Sequence, residues 1–220
     1  MPDVNRHAAW PSRWRSPRGA LVRFVLLLCA LGLFTLGYQW GNQYRFGKPP
    51  AIQGVLLTPA MPLPAFALVD LEGRPFGRDQ LIDRWTLLAF GSLTQARGQL
   101  ALQRLLDVYN RLAVETGIQQ RMQLVLGASQ LPEELGLDFQ RLSPALRLVS
   151  GEAGDLGKLA SLLGEPSETP PGNQSTLYLI GPHTRCLAVF PPSQSPATVA
   201  ADLALITQWP LAALEKGAND

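Results

Sequence analysis

The segment Trp85-Thr-Leu-Leu-Ala-Phe-Gly-Ser-Leu-Thr-Gln-Ala-Arg-Gly-Gln99 constrains this chain more than any other. Trp85 to Phe90 is a short apolar run bounded by charge and by Gly91, the pattern of a strand buried on both faces. Leu102, Leu105, Leu106, Tyr109, Leu112 and Ala113 then recur at helical spacing over 95–114, and Gly117 stands where a helix stop belongs. A doubly buried strand that passes through a short loop into a helix predicts an α/β architecture.

The other apolar segments extend that reading. Phe66 to Asp70 alternates well enough for a half-buried strand, with a turn over Leu71–Arg74. Leu124–Ala128 reads as a second buried strand and Leu146–Val149 as a third. Asp155 to Leu163 predicts a short helix with Leu156, Leu159, Ala160 and Leu163 inward, stopped by Gly164. Ser175–Ile180 and Cys186–Phe190 predict a hairpin, and Pro196–Trp209 an amphipathic helix with its Pro in the first turn. Strand, helix, strand, helix, hairpin, helix is the order of a thioredoxin-like domain, a central mixed sheet flanked by helices. There are no internal repeats.

With 46% hydrophobic and 16% charged residues, the 220-residue chain suits a folded core and not a disordered one. The net charge of +2 conceals an asymmetry. Residues 1–45 hold six Arg against one Asp, whereas 46–220 hold thirteen Lys or Arg against sixteen acids. The basic pI of about 8.7 therefore belongs to the N-terminal segment, and a nucleic-acid-binding surface is not expected. Two cysteines, Cys29 and Cys186, are too few for a disulfide framework and do not define a redox compartment.

From Phe24 to Tyr44 no residue is charged, about the length that crosses ~30 Å of hydrocarbon. Tyr38, Trp40 and Tyr44 suit an aromatic belt on the exit side, and Arg6, Arg13, Arg15, Arg18 and Arg23 precede the run. The positive-inside rule then predicts a cytoplasmic N-terminus and a periplasmic C-terminal domain, single-pass in the inner membrane. A cleaved signal peptide is the rival, but the apolar run is long for one and no small-x-small site follows it. The expected organisation is a basic N-terminus over 1–23 and a transmembrane helix over 24–44. A Pro-rich linker over 45–64, a thioredoxin-like domain over 65–210 and a tail over 211–220 follow.

Pro62-Leu-Pro-Ala-Phe-Ala-Leu-Val-Asp-Leu-Glu-Gly-Arg-Pro-Phe76, followed by Trp85–Gly91, resembles the Sco/SenC family. So do Asn173–Pro182 and Leu187–Phe190. The resemblance implies a membrane-anchored thioredoxin-fold protein that helps deliver copper to cytochrome c oxidase. It also implies copper ligands: a Cys-x-x-x-Cys pair after the Phe-Gly strand and a His just before the hairpin. Aligning Phe90-Gly91 puts Gln95 and Gln99 on the two cysteine positions, and aligning Ser175–Ile180 puts Gln174 on the histidine position. A neutral amide is a poor copper ligand and forms neither a thiolate nor a disulfide. The stretch after the central strand, Gly127-Ala-Ser-Gln-Leu-Pro132, also departs from the family pattern.

Gln95, Gln99 and Gln174 are read either as a hydrogen-bonded brace or as solvated side chains. His183 and Cys186 are too few to make a metal site, and are read as a surface His and a packed Cys. Met61 and Met122 are read as gap-fillers, and Glu133 and Glu134 as a loop or helix start. No phosphate loop, Gly-x-Ser-x-Gly, His-Glu-x-x-His or paired catalytic carboxylate occurs. The expectation is a non-enzymatic protein with no catalytic, cofactor-binding or metal residues, no cofactor and no small-molecule substrate. Its expected partners are the membrane, through the N-terminal helix, and cytochrome c oxidase subunits or assembly factors. The alternative is a copper metallochaperone or thiol-redox protein using non-standard ligands.

Overall fold

The computed structural model describes residues 17–43, 50–114, 116–151, 153–165 and 175–216. Gln174, the basic segment before residue 17 and the last four residues lie outside them. Two compact units divide the chain after Gly47.

The first unit contains α1 (Pro17–Gln43). Val22, Phe24–Leu28, Leu31, Leu33, Phe34, Leu36 and Tyr38 are exposed along it. Thr35 donates its hydroxyl to the carbonyls of Leu31 (3.0 Å) and Gly32 (2.9 Å), so even its polar group is satisfied within the helix. Among the described residues no helix is long and apolar enough to cross a membrane.

The second unit is built on one eight-stranded mixed sheet. Its strands are β1 (Val55–Pro62), β2 (Leu68–Asp70), β3 (Pro75–Phe76), β4 (Trp85–Phe90), β5 (Met122–Ala128), β6 (Leu146–Ser150), β7 (Leu177–Ile180) and β8 (Arg185–Phe190). They lie in the order β1-β8-β7-β4-β5-β6-β2-β3. β4, β5 and β6 are parallel, with Leu87 opposite Leu124 and Leu126 opposite Leu148, while β7 and β8 form the antiparallel hairpin. The helices are α2 (Ala96–Arg111), α3 (Thr116–Gln119), α4 (Glu133–Leu142), α5 (Ala153–Leu162), α6 (Pro196–Thr207) and α7 (Leu211–Lys216). This is the expected thioredoxin-like α/β architecture.

The continuous apolar run of β4 is explained by two cores. Leu87 and Ala89 point into a cluster with Leu102 and Leu105 of α2 and Val199, Leu203 and Ile206 of α6. Leu88 and Phe90 point the other way, toward Val125, Tyr178, Cys186 and Leu156 and Leu159 of α5. Side chains alternate across a strand, so a sheet covered on both faces needs apolar residues at every position.

Two boundaries need correction. The stretch read as a linker over 45–64 contributes β1, which pairs Val55 with Val189 and Met61 with Cys186, with an irregularity between Leu56 and Met61. Its prolines suggested a spacer, yet Pro lacks only the N–H donor and is tolerated on an edge strand, which β1 is. Asp202 of α6 fixes the approach to β1, accepting from the backbone N–H groups of Gln53 (3.1 Å) and Gly54 (2.8 Å). The stretch read as a tail over 211–220 contributes α7, where Leu214 is buried in the core. Its brevity, one and a half turns, hid its apolar side.

Candidate functional site

The end of β4 meets the start of α2 at Gly91–Gln99. Helix and strand approach so closely that a Cβ on Gly91 would stand 2.7 Å from Gly98 Cα, and a Cβ on Gly98 2.0 Å from the Ser92 carbonyl oxygen. Two glycines are therefore required by contact, not by turn geometry. Ser92 and Thr94 share a hydroxyl hydrogen bond of 2.8 Å, and Gln95 N–H donates to the Ser92 carbonyl (3.0 Å).

Gln95 is the N-cap of α2, extended at φ −117°, and its side chain makes no capping bond. A thiolate here would gain from the helix dipole; an uncharged amide does not. Gln99 donates from Nε2 to the Leu93 carbonyl (3.0 Å), securing its own loop. Both side chains are otherwise exposed, and Gln174 lies outside the described residues. The brace expected of Gln95, Gln99 and Gln174 therefore lies in part outside the described residues, and of the two described glutamines Gln99 bonds within its own loop.

A different set of side chains ties the junction, and the sequence reading missed it. Arg97, between the two glutamines, forms an ion pair with Glu165 through Nη2. Tyr178 on β7 donates its hydroxyl to the other carboxylate oxygen of Glu165 at 2.6 Å. Burial first, then the Glu165 hydrogen bond and charge, push the Tyr178 hydroxyl well above its ordinary pKa, so it remains a donor. The Tyr178 ring meets Phe90 edge-on, centroids 5.9 Å apart. Gly164, at φ +74°, closes α5: its N–H reaches Ser161 and that of Glu165 reaches the Ala160 carbonyl (2.9 Å). That closure holds Glu165 in place. Gly164 was legible as a helix stop, but nothing in sequence links it to Arg97.

Arg97 is the only charged residue from Gly91 to Gln103. With Glu165 answering it, Ser92, Thr94, Gln95, Ala96, Gln99 and Leu100 present a neutral face. Beside it a cleft of about 420 Å³ is lined by Leu100, Gln103, Arg104, Pro192, Gln194 and Ser195, among others.

The remaining candidates stay apart. Cys186 is fully buried in β8, its thiol pushed up to about 12 by burial, which leaves no thiolate at neutral pH. His183 is exposed in the hairpin turn, with Nδ1 2.9 Å from Glu215 Oε1 of α7. Met122 is buried in β5, and Met61 lies on β1 at the edge of the sheet, with β8, β7 and β4 between them. Among the described residues no group of three or more His, Cys, Asp or Glu could hold a metal ion. Gln95 and Gln99 offer amides, one of them committed to Leu93, so the donor set at the junction does not fit copper.

No protein-family profile matches the chain, and no curated protein matches it. Solved structures do. Copper-bound yeast Sco1 superposes with a TM-score of 0.57 at 14% identity, over 70% of this chain and 92% of that one. Copper-bound Arabidopsis thaliana ScoI gives 0.53 at 14% identity, over 67% and 99%. BsSco, a Sco-family cytochrome c oxidase assembly protein with a disulfide switch, gives 0.52 at 14% identity, over 70% and 98%. At these identities the likeness shows the fold: the chain has the thioredoxin-like fold of Sco proteins.

Proposed function

We propose that this chain is a membrane-anchored, non-catalytic Sco-like protein that assists assembly of a haem–copper oxidase by docking to it or to another assembly factor. The observation that carries the reading is the β4–α2 junction, where the Sco fold is kept and the thiolate positions bear Gln95 and Gln99. The assembly role is taken from the stated role of BsSco. Charge depletion at the neutral face matches the composition of interface cores.

The anchor rests on the uncharged run Phe24–Tyr44 and on the arginines before it. The bare apolar surface of α1, with Thr35 bonded inside the helix, supports it. An anchored domain searches a thin layer beside the membrane, which raises its effective concentration for membrane partners.

Tagged full-length protein, captured from gently solubilised membranes, should carry an oxidase subunit or assembly factor. Leu100→Asp, which places a charge on the neutral face, should reduce that yield by about tenfold or more, since an unpaired interfacial charge costs over 1 kcal/mol. Recovery of neither class of partner, or a yield indifferent to Leu100→Asp, would sink docking through this face.

A further inference from the structure

We propose that Arg97, Glu165 and Tyr178 form a side-chain tie that takes the mechanical place of a metal, joining the start of α2 to β7 with no ion bound. The tie concerns the fold's internal mechanics and stands whether or not the junction docks an oxidase.

Three segments converge on one carboxylate. Arg97 comes from the first turn of α2, inside the interval from Gln95 to Gln99. Tyr178 comes from β7, in the strand that the position of Gln174 precedes, and Glu165 from the closure of α5. A copper ion held by the ligand positions that the resemblance implies would join the same two elements, α2 and the approach to β7. In this sequence those positions hold amides, and among the described residues α2 and β7 are joined instead by an ion pair and a phenol hydrogen bond.

All three side chains of the tie are enclosed. The side chains of Glu165 and Arg97 are only 7% and 18% exposed, and Tyr178 is 1% exposed. A carboxylate so enclosed interacts through a lower dielectric than a surface pair would. Both of its oxygens are used, Oε1 by Arg97 and Oε2 by Tyr178. Asp155 and Lys158, by contrast, are exposed neighbours on one helix, and the longer-range pair of His183 with Glu215 leaves its imidazole largely in solvent.

Hydrogen exchange on the full-length protein in detergent tests the tie. Glu165→Gln strands the Arg97 charge, and exchange of the amides of Gln95–Gln99 should accelerate by roughly 10- to 100-fold. Tyr178→Phe, the mildest variant, should accelerate the same amides by about 5-fold. Arg97→Met combined with Glu165→Met removes both charges and should bring exchange back toward wild type, as uncharged packing does when it replaces a whole pair. Asp155→Asn should leave the junction unchanged, and so should EDTA added to the wild-type protein. The proposal is overturned if Glu165→Gln leaves the junction amides unmoved or accelerates β5 amides equally. It is also overturned if EDTA loosens the wild-type junction, because a metal would then be doing the tying.

Discussion

Arg104→Met is expected to lower the stability of the second unit by about 3–5 kcal/mol, because three backbone carbonyls lose their shared donor. Arg104 lies on the inward side of α2 and is 7% exposed. Nη1 donates to the Ser175 carbonyl (2.6 Å), and Nη2 to those of Pro191 and Gln194 (both 2.8 Å). One guanidinium thus joins α2 to the approach to β7 and to the loop between β8 and α6. Burial lowers its pKa, which marks the desolvation that the three carbonyl dipoles offset.

Methionine keeps the length of the apolar stem, so packing changes little and the loss isolates the carbonyls. Each left unmet costs roughly 1–3 kcal/mol. Arg104→Lys should recover little, because one ammonium cannot reproduce the planar fork that reaches three acceptors. Urea or thermal unfolding would read the difference as a fall of roughly 8–15 °C in Tm for a unit this size. A loss below about 1 kcal/mol would mean that water from the adjacent cleft satisfies the carbonyls, and Arg104 would lose its role as the clamp.

Gly98→Ala should destabilise by about 2–3 kcal/mol net, against the sign that helix propensity alone gives. Within a helix, alanine is better than glycine by roughly 1 kcal/mol. At this position, however, the new Cβ would lie 2.0 Å from the Ser92 carbonyl oxygen, and the obstacle is backbone. Strand and helix must separate at the junction itself. Gly157→Ala in α5 is the matched control, since nothing lies within 4 Å of its added Cβ. It should stabilise by about 0.5–1 kcal/mol. If both substitutions move in the same direction, the close approach of Gly91 and Gly98 is not what fixes the loop.

What the chain discloses by reading follows the physics of each signal. Trp85–Phe90, the hairpin strands and the helices near 96–111 and 196–207 were legible, because long or doubly buried elements repeat their pattern. β1 was not, since Pro59 and Pro62 mask an edge strand whose pairing partner, β8, lies more than a hundred residues away. α7 is too short for a period to show. At the site, Gln95 and Gln99 were placed correctly at the junction by Phe90-Gly91, and the absence of thiols was plain. The side chains that hold the junction were hidden. Arg97 and Glu165 are 68 residues apart, and Arg104 looks in sequence like any polar residue on an amphipathic helix. Only folding reveals that three carbonyls surround it.

The proposed function keeps a fold shared with copper-bound Sco proteins for contact and not for copper or thiol chemistry. A Cu(I) titration of the full-length protein in detergent, under reductant and against the competing chelator bicinchoninate, tests it most directly. The chelator should retain all the copper up to one equivalent per chain, with Gln95→Ala and Gln99→Ala indistinguishable from wild type. Retention of one equivalent by the protein, lost on either substitution, would contradict it.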